Sequence, residues 1–517
     1  MQRILLSFVL IFTTIGITFS QPLSEEQIDS LVQKTMATFD VPGMAVAVIK
    51  NDTIVIQKGF GVRSVNNQKP VDTKTIFGIA SNTKAFTTAA IAQLVDKNKL
   101  SWDTKITEII PELKLDDAYV TRELTIRDIL SHRSGLGLGA GDLMVFPGKN
   151  STTLEELIHN LRHFKPVSSF RTEVSYNNLF YILAGEIVTR VSGIPYETYI
   201  EKHFFEPLNM ERATFDEEKI NNDKNRIDGH TLINGKLMTT QKTFTKIGDP
   251  AAGIYASIED MTKWVQARLH YGKYGEELEK SLFSHQQAVE MWNPQANSTP
   301  RKGPYNTHYS ASGLGWFVAD VNGHLQASHT GGLLGIVSQV TLIPEIGLGI
   351  IVLTNQESGA AFTAITNSIK DAYFGIQGED RVEQYREIVY KNEVKNLEIV
   401  EEVETEVKKQ LKNKNIPLPT TSILGEFTDT WFGDVTIIEQ KNTIRFTSKK
   451  SPDLSGKMHF YKGTTYVVYW DDPTLNANAF INFELDTEGR VIGFKVSPIS
   501  PATDFSYNYQ DLQFLKK

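Results

Sequence analysis

Apolar positions along this chain fall into helical and strand rhythms that divide it into distinct stretches. Ile28, Leu31, Val32 and Met36 recur at helical spacing behind Ser24-Glu25-Glu26-Gln27, where a serine is followed three residues later by glutamine, the pattern of a capped helix start. Two short β-rich runs follow, Met44 to Ile49 and Thr53 to Gln57, joined by the turn pair Asn51-Asp52. A second hairpin lies far downstream: Val337 to Ile343 and Leu348 to Leu353 flank Pro344-Glu345-Ile346-Gly347, and a helix over Ala360 to Tyr373 closes the region. Strands and a helix at each end with a mostly helical stretch between them predict an α+β layer arrangement, an antiparallel sheet flanked by helices.

The texture changes at Gly375. Glu379 to Lys414 is rich in Glu and Lys, poor in aromatics, and leads to Pro417-Leu418-Pro419, which reads as a charged helical connector with a solvated face. Beyond it, Val435 to Glu439, Thr443 to Thr447, Thr465 to Trp470, Ala479 to Leu485 and Val491 to Val496 are strand-like and separated by turn residues such as Asp486-Thr487-Glu488-Gly489. This predicts a small all-β module, a sandwich or barrel. No short internal repeat or low-complexity tract interrupts the chain. The expected organisation is a leader over 1–20, a main domain over 22–375, a linker over 376–419 and the β module over 420–517.

The leader is expected from Met1-Gln2-Arg3, an apolar run from Ile4 to Phe19, and small residues at Thr18-Phe19-Ser20 ahead of Gln21-Pro22. The run is shorter than the about 20 apolar residues of a spanning helix. A cleaved export signal is therefore favoured over a retained anchor, with no membrane attachment after cleavage. The chain has no cysteine, which excludes disulfides, thiolate metal sites, a Cys nucleophile and lipidation at an N-terminal cysteine. Export without disulfides fits a bacterial periplasm or the cell exterior better than a small stapled secreted domain, so an exported, periplasmic or secreted protein is expected. A net charge of -8 supplies no basic patch for nucleic acid. Nothing in the pattern sets an oligomeric state.

Chemistry enters at Ser81-Asn82-Thr83-Lys84, the one Ser-x-x-Lys in the chain, at the start of a helical stretch over Ala85 to Leu94. Residues three apart share a helix face, so the Lys84 amine can reach the Ser81 hydroxyl. Serine is a weak nucleophile until a base takes its proton. Lysine can be that base only where burial lowers its pKa. Tyr176-Asn177-Asn178 precedes the apolar helix Leu179 to Val188; a tyrosine there can act as proton relay or as phenolate base, which leaves the base open between Lys84 and Tyr176, and the Asn178 amide can hold Lys84 and a substrate carbonyl together. His329-Thr330-Gly331-Gly332 stands just before the strand Val337 to Ile343, where glycines at a sheet edge let a ligand approach the backbone. The N–H groups of Ser81 and Gly332 can then form an oxyanion hole.

Taken together and in this order, these motifs resemble the serine β-lactamase-like group: class C β-lactamases, penicillin-binding DD-peptidases, D-aminopeptidases and related esterases. The resemblance runs from about Pro22 to Phe374 and is supported by Phe77-Gly78-Ile79-Ala80, by Leu124 to Leu136, by Phe205-Glu206-Pro207-Leu208 and by Asn355. It implies a sheet flanked by terminal helices, an all-helical lobe, and a site between the two. It also implies acylation of Ser81 followed by hydrolysis, with Lys84 and Tyr176 sharing the proton traffic. β-Lactamases usually carry Lys where His329 stands, and a largely neutral His holds a substrate carboxylate less strongly. The terminal β module resembles the lipocalin-like domain appended to some members and is expected to border the cleft and limit substrate length.

Competing signals are weaker. His159 and His163 lie four apart on a predicted helix over Leu154 to Phe164, but no third ligand accompanies them, so they read as surface polar residues. No Gly-x-Ser-x-Gly elbow is present. His132 reads as structural, shaping the loop behind the site. Tyr390-Lys391-Asn392 repeats the tyrosine pattern inside the charged connector and reads as a decoy. The expected protein is a metal-free, cofactor-free serine hydrolase acting on a small molecule or short peptide at an amide or ester, D-amino-acid peptides included. The alternative is a non-catalytic scaffold that binds peptidoglycan fragments or a protein partner in the same cleft.

Overall fold

The computed structural model describes residues 23–241, 245–300, 303–412 and 417–517. The predicted leader, 1–20, lies outside the described residues. The first helix, Glu25–Thr38 (α1), starts as its sequence predicts: Ser24 and Gln27 form a reciprocal capping box. The first hairpin is Gly43–Lys50 (β1) and Thr53–Gly61 (β2), turning through Asn51 and Asp52 at φ 47 and 67. The distant hairpin, Ile336–Ile343 (β7) and Leu348–Thr354 (β8), joins it directly, β1 pairing with β8 from Met44 opposite Thr354 to Lys50 opposite Leu348.

The sheet these strands build has eight members among the described residues. Ala296–Ser298 (β3), Ser310–Ser312 (β4), Phe317–Val321 (β5) and His324–Leu333 (β6) extend it in the antiparallel order β2-β1-β8-β7-β6-β5-β4-β3. Both faces of its centre are covered, which explains why β1 and β8 read as unbroken apolar runs rather than alternating ones. Ala45, Ala47 and Ile49 join the core of the helical lobe, while Met44, Val46 and Val48 pack with residues of α1 and of the helix Gly359–Phe374 (α5). Inside the lobe, Thr83–Asp96 (α2) is buried on all sides from Thr83 to Leu94, as a helix at the centre of a domain must be. Leu179–Ser192 (α3) packs beside it, and Ile258–Leu269 (α4) packs on the sheet.

The charged connector is a single helix, Arg381–Gln410 (α6). It spans about 45 Å at 1.5 Å per residue. Arg381 anchors its start through Asp371 at 2.7 Å, both side chains nearly buried. Near its end, Val403 and Val407 pack against Val467 and Ile499 of the terminal module. Tyr390, the decoy tyrosine, is 62% exposed between these anchors.

The terminal module is a closed antiparallel barrel: Gly425–Asp429 (β9), Gly433–Gln440 (β10), Thr443–Ser448 (β11), Ser455–Lys462 (β12), Thr465–Trp470 (β13), Ala479–Leu485 (β14), Val491–Pro498 (β15) and Gln513–Lys516 (β16). The strands β9, β12 and β16 were not apparent in the sequence, where Gly, His, Lys and Gln dilute their alternation. Phenylalanines meet in the interior, with Phe494 at 5.0 Å from Phe427 and 4.6 Å from Phe514. The barrel docks on the helical lobe: the Trp431 ring lies 4.8 Å from Phe164, Asn160 Nδ2 donates to Trp431 O at 3.0 Å, and Lys450 pairs with Glu156 at 2.6 Å.

One side chain ties the first hairpin to the end of β8. Asn355 is fully buried; its Oδ1 accepts from Gly43 N–H at 2.7 Å, and its Nδ2 donates to the carbonyls of Val62 and Arg63, each at 3.0 Å. Asn355→Ala strands those backbone groups and is expected to cost about 3 kcal/mol, read as a lower urea midpoint for loss of the main domain's tertiary signal.

Candidate active site

Three of the predicted stretches meet between the sheet and the helical lobe. Ser81 sits in a single 3₁₀ turn, Ala80–Asn82, immediately ahead of α2. The turn is fixed from below: Asn82 Nδ2 donates to Ser338 Oγ at 2.8 Å, and Ser338 Oγ donates to Ile79 O at 2.7 Å. Ala80 takes a left-handed φ of 48, a sparsely populated conformation for a residue with a Cβ. Ser81 is half-buried, whereas Lys84, one turn further along, has no exposed surface.

The Lys84 ammonium has three donors and finds three acceptors: Ser81 Oγ at 3.1 Å, Asn178 Oδ1 at 2.7 Å and Ala251 O at 2.8 Å. The rings of Tyr176 and Tyr181 stand 4.9 and 5.3 Å from its nitrogen. Burial lowers the pKa of this amine to about 7, against a raising pull from Asp142. The Tyr176 phenol is hydrogen-bonded to Ser81, but burial raises its pKa well above the ordinary phenol range, so at neutral pH it carries its proton.

The segment bearing Tyr176 and Asn178 is held by the loop Ser131 to Leu136. His132 accepts Ser175 N–H on its carbonyl at 2.8 Å and Asn177 N–H on Nδ1 at 3.1 Å, which fixes its proton on Nε2; its ring lies 4.4 Å from that of Tyr176. The buried Asp128 carboxylate clamps the same two stretches by accepting from Arg133 Nε at 2.7 Å and Arg171 Nη2 at 2.7 Å. Asn178 is at the cap position of α3 but makes no capping bond. Its amide is used otherwise: Oδ1 on Lys84, and Nδ2 on Asp142 Oδ2 at 2.7 Å.

The His329 stretch forms no turn. It is part of β6, which lies inside the sheet rather than at its edge, contrary to the sequence expectation. The free edge is local: β5 pairs with β6 only over His324 to Ser328, so among the described residues His329 to Leu333 pair with β7 alone and no strand lies along their other side. The strand passes tightly over the serine turn, because a Cβ on Gly331 would lie 2.3 Å from Ile79 O. Thr330 and Gly332 are exposed; His329 is buried, with its ring 6.2 Å from Tyr176 and 5.2 Å from Phe317. Burial, aided by the Lys84 charge, depresses the His329 pKa to about 3, so the imidazole is neutral.

Several residues at this site escaped the sequence reading. Asp142, Tyr181 and Ala251 belong to no motif; the glycines at 139 and 141 were the only local sign of an unusual loop. The barrel also reaches the site. Phe505 packs edge-on to Tyr176 at 5.9 Å, and a Cβ on Gly139 would lie 2.7 Å from Phe505 O. The predicted helix over Leu154 to Phe164 is α-helical only to Asn160 and then tightens to 3₁₀; His159 and His163 lie 6.1 Å apart by ring centroid. Among the described residues no cluster of three or more His, Asp or Glu could hold a metal.

Burial lowers the pKa of Lys370 to about 7 as well as that of Lys84. NMR of protein labelled with 13C at lysine Cε is expected to show two lysine signals that titrate near neutrality. Lys84→Arg should remove one of them; a full set of lysines charged well into alkaline pH would contradict the geometry.

Two family models match this chain. A family model described as Beta-lactamase matches residues 28–373, and one described as a domain of unknown function (DUF3471) matches 410–516. Protein flp of Staphylococcus aureus (strain MW2) is 28% identical over 344 residues, 65% of this chain and 64% of that protein, so the chain spans just under two thirds of that relative's length. Unguisins hydrolase ungD' of Aspergillus campestris is 26% identical over 378 residues, 69% of this chain and 67% of that one. The octameric penicillin-binding protein homologue from Pyrococcus abyssi superposes with a TM-score of 0.59 at 21% identity, over 96% of this chain and 100% of that one. That likeness spans both domains and shows a shared fold, and by the match over its main domain this chain belongs to the Beta-lactamase family.

Proposed function

We propose that this protein is a serine hydrolase that cleaves an amide or ester through an acyl-enzyme on Ser81, with Lys84 as the base. The observation that carries this reading is the set of partners around the amine. Near neutrality a lysine with a pKa of about 7 is substantially uncharged, with two hydrogens and one lone pair. Asn178 Oδ1 and Ala251 O can only accept, so they take the two hydrogens. The lone pair is left facing the Ser81 hydroxyl, the one partner able to donate to it.

As Ser81 Oγ attacks the carbonyl carbon, its proton passes to Lys84 Nζ. The developing oxyanion lies within reach of the backbone N–H groups of Ser81 and Gly332, across the close approach of β6 to the serine turn. When the tetrahedral adduct collapses, the bond to the leaving group breaks and that group takes a proton from the protonated Tyr176 phenol, which Lys84 replenishes. Water then loses a proton to the same relay, attacks the acyl carbonyl and releases the acid, returning the proton to Ser81 Oγ. Asn178 orients Lys84 and has one Nδ2 hydrogen left for a substrate carbonyl. The open side of Thr330 to Gly332 supplies main-chain groups for an extended substrate, which fits a short peptide. Phe505 beside Tyr176 narrows the cleft on the barrel side and limits substrate length. His329, being neutral, offers no cation to a substrate carboxylate, so β-lactams are expected to be poor substrates.

Mass spectrometry after exposure to a fluorophosphonate tests this reading. An adduct on Ser81 is expected, absent in Ser81→Ala, with slower acylation by a penicillin. Failure of both probes on folded protein would favour the scaffold. Tyr176→Phe is expected to slow ester or peptide hydrolysis by roughly 10²–10⁴-fold. Because the base must be uncharged, kcat/KM is expected to fall as pH drops through about 7.

A further inference from the structure

The chemistry above gives no role to a fully buried carboxylate beside the site, Asp142. Asp142 begins a short turn, Asp142–Met144, behind Gly141 at φ 82. Its Oδ2 accepts from Asn178 Nδ2 at 2.7 Å and from Ser506 Oγ at 2.9 Å, while its Oδ1 is buried without a partner. Ser506 belongs to the barrel domain, 364 residues away in sequence. The barrel loop is held in place on both sides of this serine: Ser506 N–H donates to Asp504 Oδ1 at 2.8 Å, Asn508 Oδ1 accepts Leu143 N–H at 3.2 Å, and Phe505 lies against Tyr176. A continuous chain therefore runs from barrel to amine: Ser506 hydroxyl, Asp142 carboxylate, Asn178 amide, Lys84 nitrogen.

We propose that Asp142 and Ser506 are positioning residues through which the barrel domain sets the proton affinity of Lys84: Ser506 favours the carboxylate form of Asp142, and that charge, behind the Asn178 amide, stabilises the ammonium that forms when Ser81 is deprotonated. The proposal rests on the reading of Lys84 as base. The polarity of the chain supports it. Asn178 presents its oxygen to the amine and its nitrogen to the carboxylate, the orientation that suits an ammonium on one side and an anion on the other. Burial raises the Asp142 pKa to about 7, opposed by the hydrogen bonds from Asn178 and Ser506 and by the Lys84 charge. Asp142 raises the pKa of Lys84 and Lys84 lowers that of Asp142, so the two titrate as a pair.

The other groups facing the pair do not replace this charge. His132 and His329 are held neutral by burial and by Lys84; Tyr176 and Tyr181 keep their protons. Asp504, on the same barrel loop, raises the Asp142 pKa and so acts against the carboxylate that Ser506 favours. Loss of the anion makes Lys84 a weaker base that is uncharged at lower pH. Asp142→Asn and Ser506→Ala should therefore move the acid limb of the pH profile in the same direction.

The test is the rate of fluorophosphonate labelling of Ser81 across the neutral range in the full-length protein. Asp142→Asn is expected to shift the acid limb down by about 1 pH unit, with a lower plateau. Ser506→Ala should shift it the same way by less, and Ser506→Thr should restore the wild-type limb. A purely structural role would lower the plateau without moving the limb, and that result overturns the proposal, as does an upward shift. If Asp142→Asn does not fold, the comparison of Ser506→Ala with Ser506→Thr decides alone. Absence of wild-type labelling at every pH would overturn the hydrolase reading and this proposal with it; wild-type labelling with limbs unmoved in both variants overturns this proposal only.

Discussion

The site depends on a lysine amine kept out of water with only three places to put its hydrogens. Two of its partners, the Asn178 amide oxygen and the Ala251 carbonyl, accept and never donate; the third is a hydroxyl that does both. Desolvation brings the amine close to neutrality, and the two obligate acceptors then decide which way its lone pair points. A buried lysine is costly wherever it occurs, and much of the surrounding structure holds that environment in place. Asp128 clamps the loop that carries Tyr176, His132 props the tyrosine ring and its backbone, and Ser338 pins the serine turn against the sheet.

The fold separates stiffness from access. The central strands are buried on both faces and α2 is enclosed by the lobe, so Ser81 and Lys84 sit on elements with little freedom to move. Access comes from an interruption in the same sheet: β5 stops at the residue opposite Ser328 and leaves the next five residues of β6 paired on one side. An interior strand thus acquires an open edge only where the serine turn lies. The barrel closes the arrangement from the opposite side, with Phe505 on Tyr176 and Ser506 on Asp142. Its closed, phenylalanine-packed interior carries that loop.

Local signals were the readable ones. The capping box at Ser24, both hairpins, the helix after Ser81 and five barrel strands all express themselves within a few residues, through periodicity, turn pairs and caps. β9, β12 and β16 do not, since a closed barrel lets strands with glycine and charged residues survive on neighbours' pairing. The placement of the His329 stretch at a sheet edge was half right for a nonlocal reason: whether an edge is open depends on where β5 ends, which no property of β6 encodes. Asp142 was invisible because a single Asp after glycines is ordinary in a loop, and its importance comes from Asn178 and from a serine 364 residues away.

By itself the sequence determined which groups were available and in what local frame: one serine three residues before a lysine at a helix start, a tyrosine and asparagine ahead of another helix, no thiol, and an acidic charge balance. Such information is set by covalent order and by the short-range geometry of helices and turns. Tertiary structure alone decided the ionisation and orientation of those groups. Burial of Lys84, the proton kept on Tyr176, the deep burial of His329 and the raised pKa of the Asp142 carboxyl behind Asn178 are properties of distance and desolvation, and those arise only when stretches far apart in the chain are packed together.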